Sequence, residues 1–371
     1  MKIVIFIDWF APAYKAGGPI QSIVNLVSSN LQDVHYKIIC SNKDLDGQFL
    51  QGVKYDEWVD YNTYTTVWYN SNNKNLPRLI RCVNAWNPDI YFINGVYSIY
   101  YNFLPVIIGK ASKKIISARG MLHAGALTQK SFKKKIYLLV WKLLQIHKKN
   151  LFHATNEDEK NYIESVFGKK IKVHVAPNLP RDLQVIKISS KAIITLQMLS
   201  IGLISPMKNY LMVIKALCKC RENIHYTIYG PIKDRDYWQE CVEEMKQLPS
   251  NITIEYKGDL PTAKVPKALE KAHVFILPSK SENFGHAIFE ALTSGKPVIT
   301  SYFTPWNNLV EAKAGLNVSI ENDYELSNAI SFFARAGISE LENWSNGASL
   351  YAKKAINIEQ IKEQYLEMFS K

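Results

Sequence analysis

The sequence predicts an α/β protein of two units, each built on a parallel sheet. Short apolar runs that suit buried strands alternate with amphipathic helical stretches along almost the whole chain. That alternation demands parallel sheets with right-handed crossovers. A linker over 177–191, a stretch without periodicity that holds Pro177 and Pro180, connects two such patterns. A length of 371 residues suits two such domains.

The first strand covers 3–7. The apolar run of Met1-Lys-Ile-Val-Ile-Phe-Ile-Asp8 is too short for a signal peptide and meets an acid at once. Gly17-Gly18-Pro19 then opens a helix over 20–31. Glycines let backbone approach a ligand, and proline suits a first helical turn. The spacing is not Gly-x-Gly-x-x-Gly, so the dinucleotide fingerprint is missing. A strand over 36–41 follows, then a polar, aromatic stretch over 42–75 with hairpin-like alternation at 63–69. Next come a helix over 76–86, a strand over 90–93, a helix over 96–109 broken near Pro105, and a strand over 114–117. Ser117-Ala-Arg119-Gly120-Met-Leu122-His123 leaves the carboxyl end of that strand, where α/β proteins bind ligands. Arg119 is a candidate contact and His123 a candidate base. A lysine-rich helix over 130–149, a strand over 151–155, a helix over 157–166 capped by Asn156, and a strand over 172–176 complete this half.

The second half starts with a strand over 193–201, then Gly202 and a helix that begins just past Lys208. A lysine at such a helix start is placed to balance a diphosphate. Strands over 225–229, which ends at Gly230, and 252–256 alternate with helices over 234–248 and 263–272. The stretch from Val274 to Thr300 reads strand, loop, helix, turn, strand, with Gly285 opening the helix and Gly295 and Pro297 ending it. Glu282 lies in the loop and Glu290 about one and a half turns into the helix, at roughly 1.5 Å per residue. One ligand over the helix start would reach Glu282, the free amides from Asn283 through Phe284 and Gly285 to His286, and Glu290. Taken alone, the glutamates equally fit a solvated loop acid and a helix-surface acid near Lys296. A last strand over 315–318 precedes helices from about Asp323, Ser339 and Asn357.

Five cysteines without a Cys-x-x-Cys pair read as reduced thiols, not a disulfide frame or zinc site. No run of 18 apolar residues predicts a membrane span. The net charge of +12 is uneven: residues 90–156 hold eleven Lys and Arg and no Asp or Glu. Besides a solvated basic face, this suits an anionic lipid surface or a phosphate-bearing acceptor. Lys133, Lys134, Lys135 and Trp141 on the helix over 130–149 suit an interfacial helix, while Ile136, Leu138, Trp141 and Leu144 equally suit a face packed on the sheet. Nucleic acid is not expected as a partner, because no reader motif accompanies the charge.

Glu282-x7-Glu290 resembles the donor-site signature of retaining glycosyltransferases of family 4, which have the GT-B fold. Ile204-Ser-Pro-Met-Lys208-Asn, Ile228-Tyr-Gly-Pro-Ile232, Thr304-Pro-Trp-Asn-Asn-Leu309 and Ser117-Ala-Arg119-Gly120-Met-Leu122 resemble members that build bacterial surface polysaccharides. The resemblance implies two Rossmann-like domains facing a cleft, an acceptor domain over 1–180 and a donor domain over 190–352, with a helix over 353–371 crossing back to the first. It implies a nucleotide-sugar donor held by Gly18, Gly202, Lys208, Gly230, Glu282, Asn283, Phe284, Gly285 and Glu290, with Glu282, Lys208 and Arg119 closest to the chemistry. Gly17 and His123 fall on the acceptor side, with a glycan or lipid-linked acceptor at the inner face of the cytoplasmic membrane. No metal or other cofactor is expected. Asp44-Leu-Asp46 and Asp234-Arg-Asp236 are read as a solvated loop and a helix start. Leu203 stands where relatives carry Arg, and Tyr302 where close relatives more often carry Asp. Those two positions keep open a catalytically degenerate nucleotide-binding protein, and the scaffold also admits a nucleotide-sugar epimerase.

Overall fold

The computed structural model describes residues 1–123, 131–181, 184–186 and 194–370. The chain divides into two compact units: Met1–Leu179 with Ile358–Lys371, and Pro180–Asn357. Among the described residues, no helix is long and apolar enough to cross a membrane.

The first unit holds an eight-stranded sheet. Its strands are β1 (Lys2–Phe6), β2 (His35–Ser41), β3 (Trp58–Asn62), β4 (Thr65–Asn70), β5 (Ile90–Asn94), β6 (Lys113–Ser117), β7 (Leu151–Ala154) and β8 (Val173–Val175). The order is β3-β4-β2-β1-β5-β6-β7-β8. Only the β3–β4 pair, the hairpin read in the sequence, is antiparallel. Every residue of β5 is buried, as befits a strand covered on both faces. The helices are α1 (Gly18–Ser28), α2 (Leu76–Asn84), α3 (Leu104–Ile108), α4 (Ser131–Leu143), α5 (Ile146–Lys149) and α6 (Glu157–Phe167). Asn156 caps α6 by accepting the Glu159 amide. The helix expected over 96–109 is a wide turn over Ile99–Phe103 followed by the short α3, with Pro105 in its first turn.

The lysine-rich helix departs from expectation in two ways. It breaks at Gln145, which is left-handed at φ 53°, between α4 and α5. Its buried side is also not the expected one. Leu138 and Trp141 are buried, with the Trp141 ring stacked against Phe167 at 6.3 Å, whereas Ile136 and Leu144 face solvent. Trp141 is therefore a core residue and not an interfacial anchor: a fully buried indole has no surface to offer a membrane. Lys130 lies outside the described residues.

The second unit holds an all-parallel sheet of β9 (Leu196–Ile201), β10 (Ile224–Tyr229), β11 (Ile252–Tyr256), β12 (Val274–Leu277), β13 (Val298–Ser301) and β14 (Gly315–Val318). The order is β11-β10-β9-β12-β13-β14. Its helices are α7 (Tyr210–Leu217), α8 (Arg235–Met245), α9 (Val265–Glu270), α10 (His286–Thr293), α11 (Asp323–Arg335) and α12 (Ile338–Ala355). The final helix, α13 (Ile358–Ser370), belongs to the first unit. There Phe369 packs on Phe92 at 5.8 Å, Tyr365 on His153 at 5.5 Å, and Lys113 Nζ donates to the Met368 carbonyl at 2.5 Å. All five cysteines are free.

Candidate functional site

In the second unit, the chain runs from β9 to β10 and β11 on one side and returns to β12 on the other. The crevice beyond the carboxyl ends of β9 and β12 is thus the switch point, the place where open α/β sheets bind ligands. Gly202 leaves β9 there, and its carbonyl accepts the Tyr210 hydroxyl at 2.9 Å. Gly230 leaves β10 against it, with φ at 143°; a Cβ on Gly230 would lie 1.9 Å from the Gly202 carbonyl oxygen. Only glycine fits, which explains why the phrase after β10 carries it.

Past Gly202, a tight turn over Pro206–Lys208 and the left-handed Asn209 lead into α7. Lys208 reaches across the crevice and its ammonium pairs with Glu282 Oε1. The same carboxylate oxygen accepts the Ser279 hydroxyl at 2.7 Å, and the Lys280 amide donates to the Met207 carbonyl at 2.8 Å. The loops after β9 and β12 are thereby laced together, with a cation at the centre. Both partners keep some exposure, at 20% for Lys208 and 10% for Glu282.

The left-handed Gly285, at φ 74°, turns the loop into α10. Trp306 Nε1 donates to the Phe284 carbonyl at 2.6 Å, and the two rings meet edge-on at 5.3 Å. The Thr304-Pro-Trp phrase therefore acts as a buttress behind the Glu282–Gly285 loop. Glu290 projects from α10 with only 6% exposure. Burial raises its carboxyl to about 7, and the Arg181 charge pulls the other way. The structure thus places Gly202, Lys208, Gly230, Glu282, Asn283, Phe284, Gly285 and Glu290 in one unit around one crevice and one helix start. Leu203 is half-buried beside them, and Tyr302 is exposed.

The remaining predicted residues lie in the first unit. Its switch point falls between β1 and β5. Gly17, left-handed at φ 68°, and Gly18 follow β1 and begin α1. Asp44 is not the solvated acid the sequence suggests. It is buried and accepts the Tyr14 amide at 3.0 Å and the Lys15 amide at 3.3 Å, tying down the loop before Gly17. Asp46 pairs with Lys15 at 2.6 Å. Asp234 caps α8 through the Tyr237 amide, as a helix-start acid should. Arg119 is left-handed at φ 51°. Its Nε donates to Asn94 Oδ1 at 3.1 Å, another guanidinium nitrogen to Asn178, and Tyr365 lies against it. It ties the end of β5 and the segment after β8 to the middle of α13. His123 packs edge-on against Tyr162 at 4.7 Å. Lys133 and Lys135 are exposed, while Lys134 lies 5.1 Å from the Tyr97 ring centroid.

Sequence reasoning passes over Asp8, Ser279 and Arg181. Asp8 lies two residues past β1, and its carboxyl is pushed up by burial against a hydrogen bond with Ser98, which lies past β5. Its signal was available: it is the first polar residue past a central buried strand. Ser279 stands only three residues before its partner Glu282, whereas Arg181 shows its role only through partners far away in sequence.

The architecture is that of the GT-B glycosyltransferases. Residues 187–349 match the family model described as "Glycosyl transferases group 1". No curated protein matches the chain in sequence. HepE of Anabaena, solved in complex with UDP and glucose, superposes with a TM-score of 0.74 at 18% identity, covering 100% of this chain and 99% of that one. Sucrose-phosphate synthase of Thermosynechococcus elongatus superposes with a TM-score of 0.71 at 15% identity, covering 100% and 98%. Trehalose-6-phosphate synthase OtsA gives 0.70 at 10% identity, covering 100% and 99%.

Proposed function

We propose that the chain is a retaining glycosyltransferase that moves a sugar from a nucleotide-sugar to a hydroxyl of a glycan or lipid-linked acceptor, in surface-polysaccharide assembly at the inner face of the cytoplasmic membrane. One observation carries the donor reading: Lys208 and Glu282 meet across the β9–β12 crevice, beside the start of α10, within the matched residues. UDP-sugars are the first donors to test, because HepE is solved with UDP-glucose.

In this reading the diphosphate displaces Lys208 from Glu282 and takes its positive charge. The free amides at the α10 start add partial positive charge. Glu282, released, accepts sugar hydroxyls. Glu290 accepts the ribose hydroxyls. The acceptor oxygen bonds to the anomeric carbon as the bond from that carbon to the diphosphate oxygen breaks, and the acceptor proton passes to that leaving oxygen on the same face. Charge growing on the leaving group is what Lys208 stabilises. This chemistry is proposed to need no resident metal. Arg119 acts as a positioning residue, holding the frame around the β5 end.

The test is calorimetric binding of UDP, GDP, dTDP and CMP in the presence of chelator, followed by donor turnover with and without acceptor. An acceptor-dependent product with retained anomeric configuration is expected. An isomerised donor without acceptor would make the protein an epimerase. Binding without turnover would make Leu203 and Tyr302 marks of a degenerate enzyme, and the first variant to build would be Leu203→Arg.

A further inference from the structure

The exposed side of α4 is apolar. Phe132 is 75% exposed, Ile136 49%, Leu139 54% and Leu143 72%, with Val140 and Leu144 also open. Spacings of four, seven, eight and eleven residues put Phe132, Ile136, Leu139, Val140 and Leu143 on one side of the helix, and Leu144 follows just past its end. The opposite side is already used by Leu138 and Trp141 in the core. A single exposed leucine needs no explanation, but a continuous stripe of large apolar residues along a whole helix does.

Charge decides what covers it. Lys133, Lys135 and Lys142 flank the stripe and are exposed, and Lys148 and Lys149 continue the positive charge along α5. No Asp or Glu occurs from residue 90 to residue 156. A second copy docked through the same helix face would bring the same cations against these. An anionic bilayer offers what the surface lacks: apolar depth for the stripe and negative headgroups for the lysines.

We propose that α4 is a monotopic docking helix, lying in the plane of an anionic bilayer with Phe132, Ile136, Leu139 and Leu143 inserted and the lysines at headgroup level. The inference gives the membrane-side reading a definite surface, opposite to Trp141. It rests on no step of the transfer reaction, so vesicle binding and donor binding fail separately.

The experiment is flotation of the full chain with phosphatidylglycerol–phosphatidylcholine vesicles and with phosphatidylcholine vesicles alone. The wild type is expected to float with the first and much less with the second. Leu139→Asp with Leu143→Asp should weaken binding about a hundredfold, since each leucine loses its apolar transfer. Lys133→Gln, Lys135→Gln and Lys142→Gln together should weaken it by about the same factor, at about fivefold per lysine. Trp141→Phe and Leu350→Asp, the latter an exposed leucine of the second unit, should leave it unchanged. Thermal melts of each variant separate lost docking from lost folding. Wild type that stays at the bottom of the gradient, or folded leucine variants that float like wild type, would overturn the proposal. So would a concentration-dependent dimer abolished by the leucine variants, which would assign the stripe to a second copy.

Discussion

Glu290 couples folding stability to pH. Burial raises its carboxyl from the ordinary 4.5 to about 7. Between those values the folded chain keeps a proton that the unfolded chain has lost, so folding stability falls as pH rises through this window. The contribution is fully present below about 4.5 and gone above about 7. The shift corresponds to about 3 kcal/mol at about 1.4 kcal/mol per unit. Glu290→Gln keeps the shape and removes the titration. Its stability relative to wild type should therefore improve by about 2–3 kcal/mol between about pH 5 and about pH 8. Urea denaturation of both proteins at both pH values measures this double difference, in which every other titrating group cancels. On the proposed reading, in which ribose hydroxyls donate to the ionised carboxylate, wild-type nucleotide affinity should strengthen by up to about tenfold per unit as pH rises toward 7, while the variant stays flat. A relative stability independent of pH, or a wild-type affinity as flat as the variant's, would refute the reasoning.

Three further outcomes are expected. On the proposed reaction, Lys208→Met should lower turnover about a hundredfold or more by removing a charge aimed at the leaving group, while circular dichroism melts shift little because the pair is partly solvated. Gly230→Ala should destabilise by about 3 kcal/mol or more in chemical denaturation, because its Cβ meets the Gly202 carbonyl at 1.9 Å and backbone cannot retreat cheaply. Trp306→Phe loses the hydrogen bond to the Phe284 carbonyl and should cost about 1–3 kcal/mol, with faster hydrogen exchange over the Glu282–Gly285 loop as its local signature.

Most strands were legible because a buried parallel strand is a short apolar run, and such runs are bounded here by Gly, Pro or polar residues. The crevice beyond β9 and β12 was legible for the same reason: its residues sit just past strand ends, in phrases that hold their order. What periodicity cannot supply is direction. The helix around Trp141 has two apolar sides, one over Leu138 and Trp141 and one over Phe132, Ile136, Leu139 and Leu143. Both satisfy a helical repeat, and only the packed structure says which one touches Phe167. Distance in sequence hid the rest. Asp44 meets amides 29 and 30 residues before it, and Arg119 meets Asn94 and Asn178, 25 and 59 residues away. No local pattern announces such partners.

The two units answer the same topological problem with different polar contacts. Each sheet parts its connections at a central pair of strands, β1 and β5 in one unit, β9 and β12 in the other. At each parting, a polar contact spans the gap: Asp8 with Ser98 in the first, Lys208 with Glu282 in the second. The cation in the second unit suits a diphosphate. On the proposed reaction, the half-buried carboxyl in the first suits a hydroxyl, which it can accept from without competing for the phosphate. Asp8→Asn tests that division: on the proposed reaction it should raise the acceptor KM while leaving nucleotide affinity unchanged, and a loss of nucleotide affinity instead would show that the division of labour is wrong.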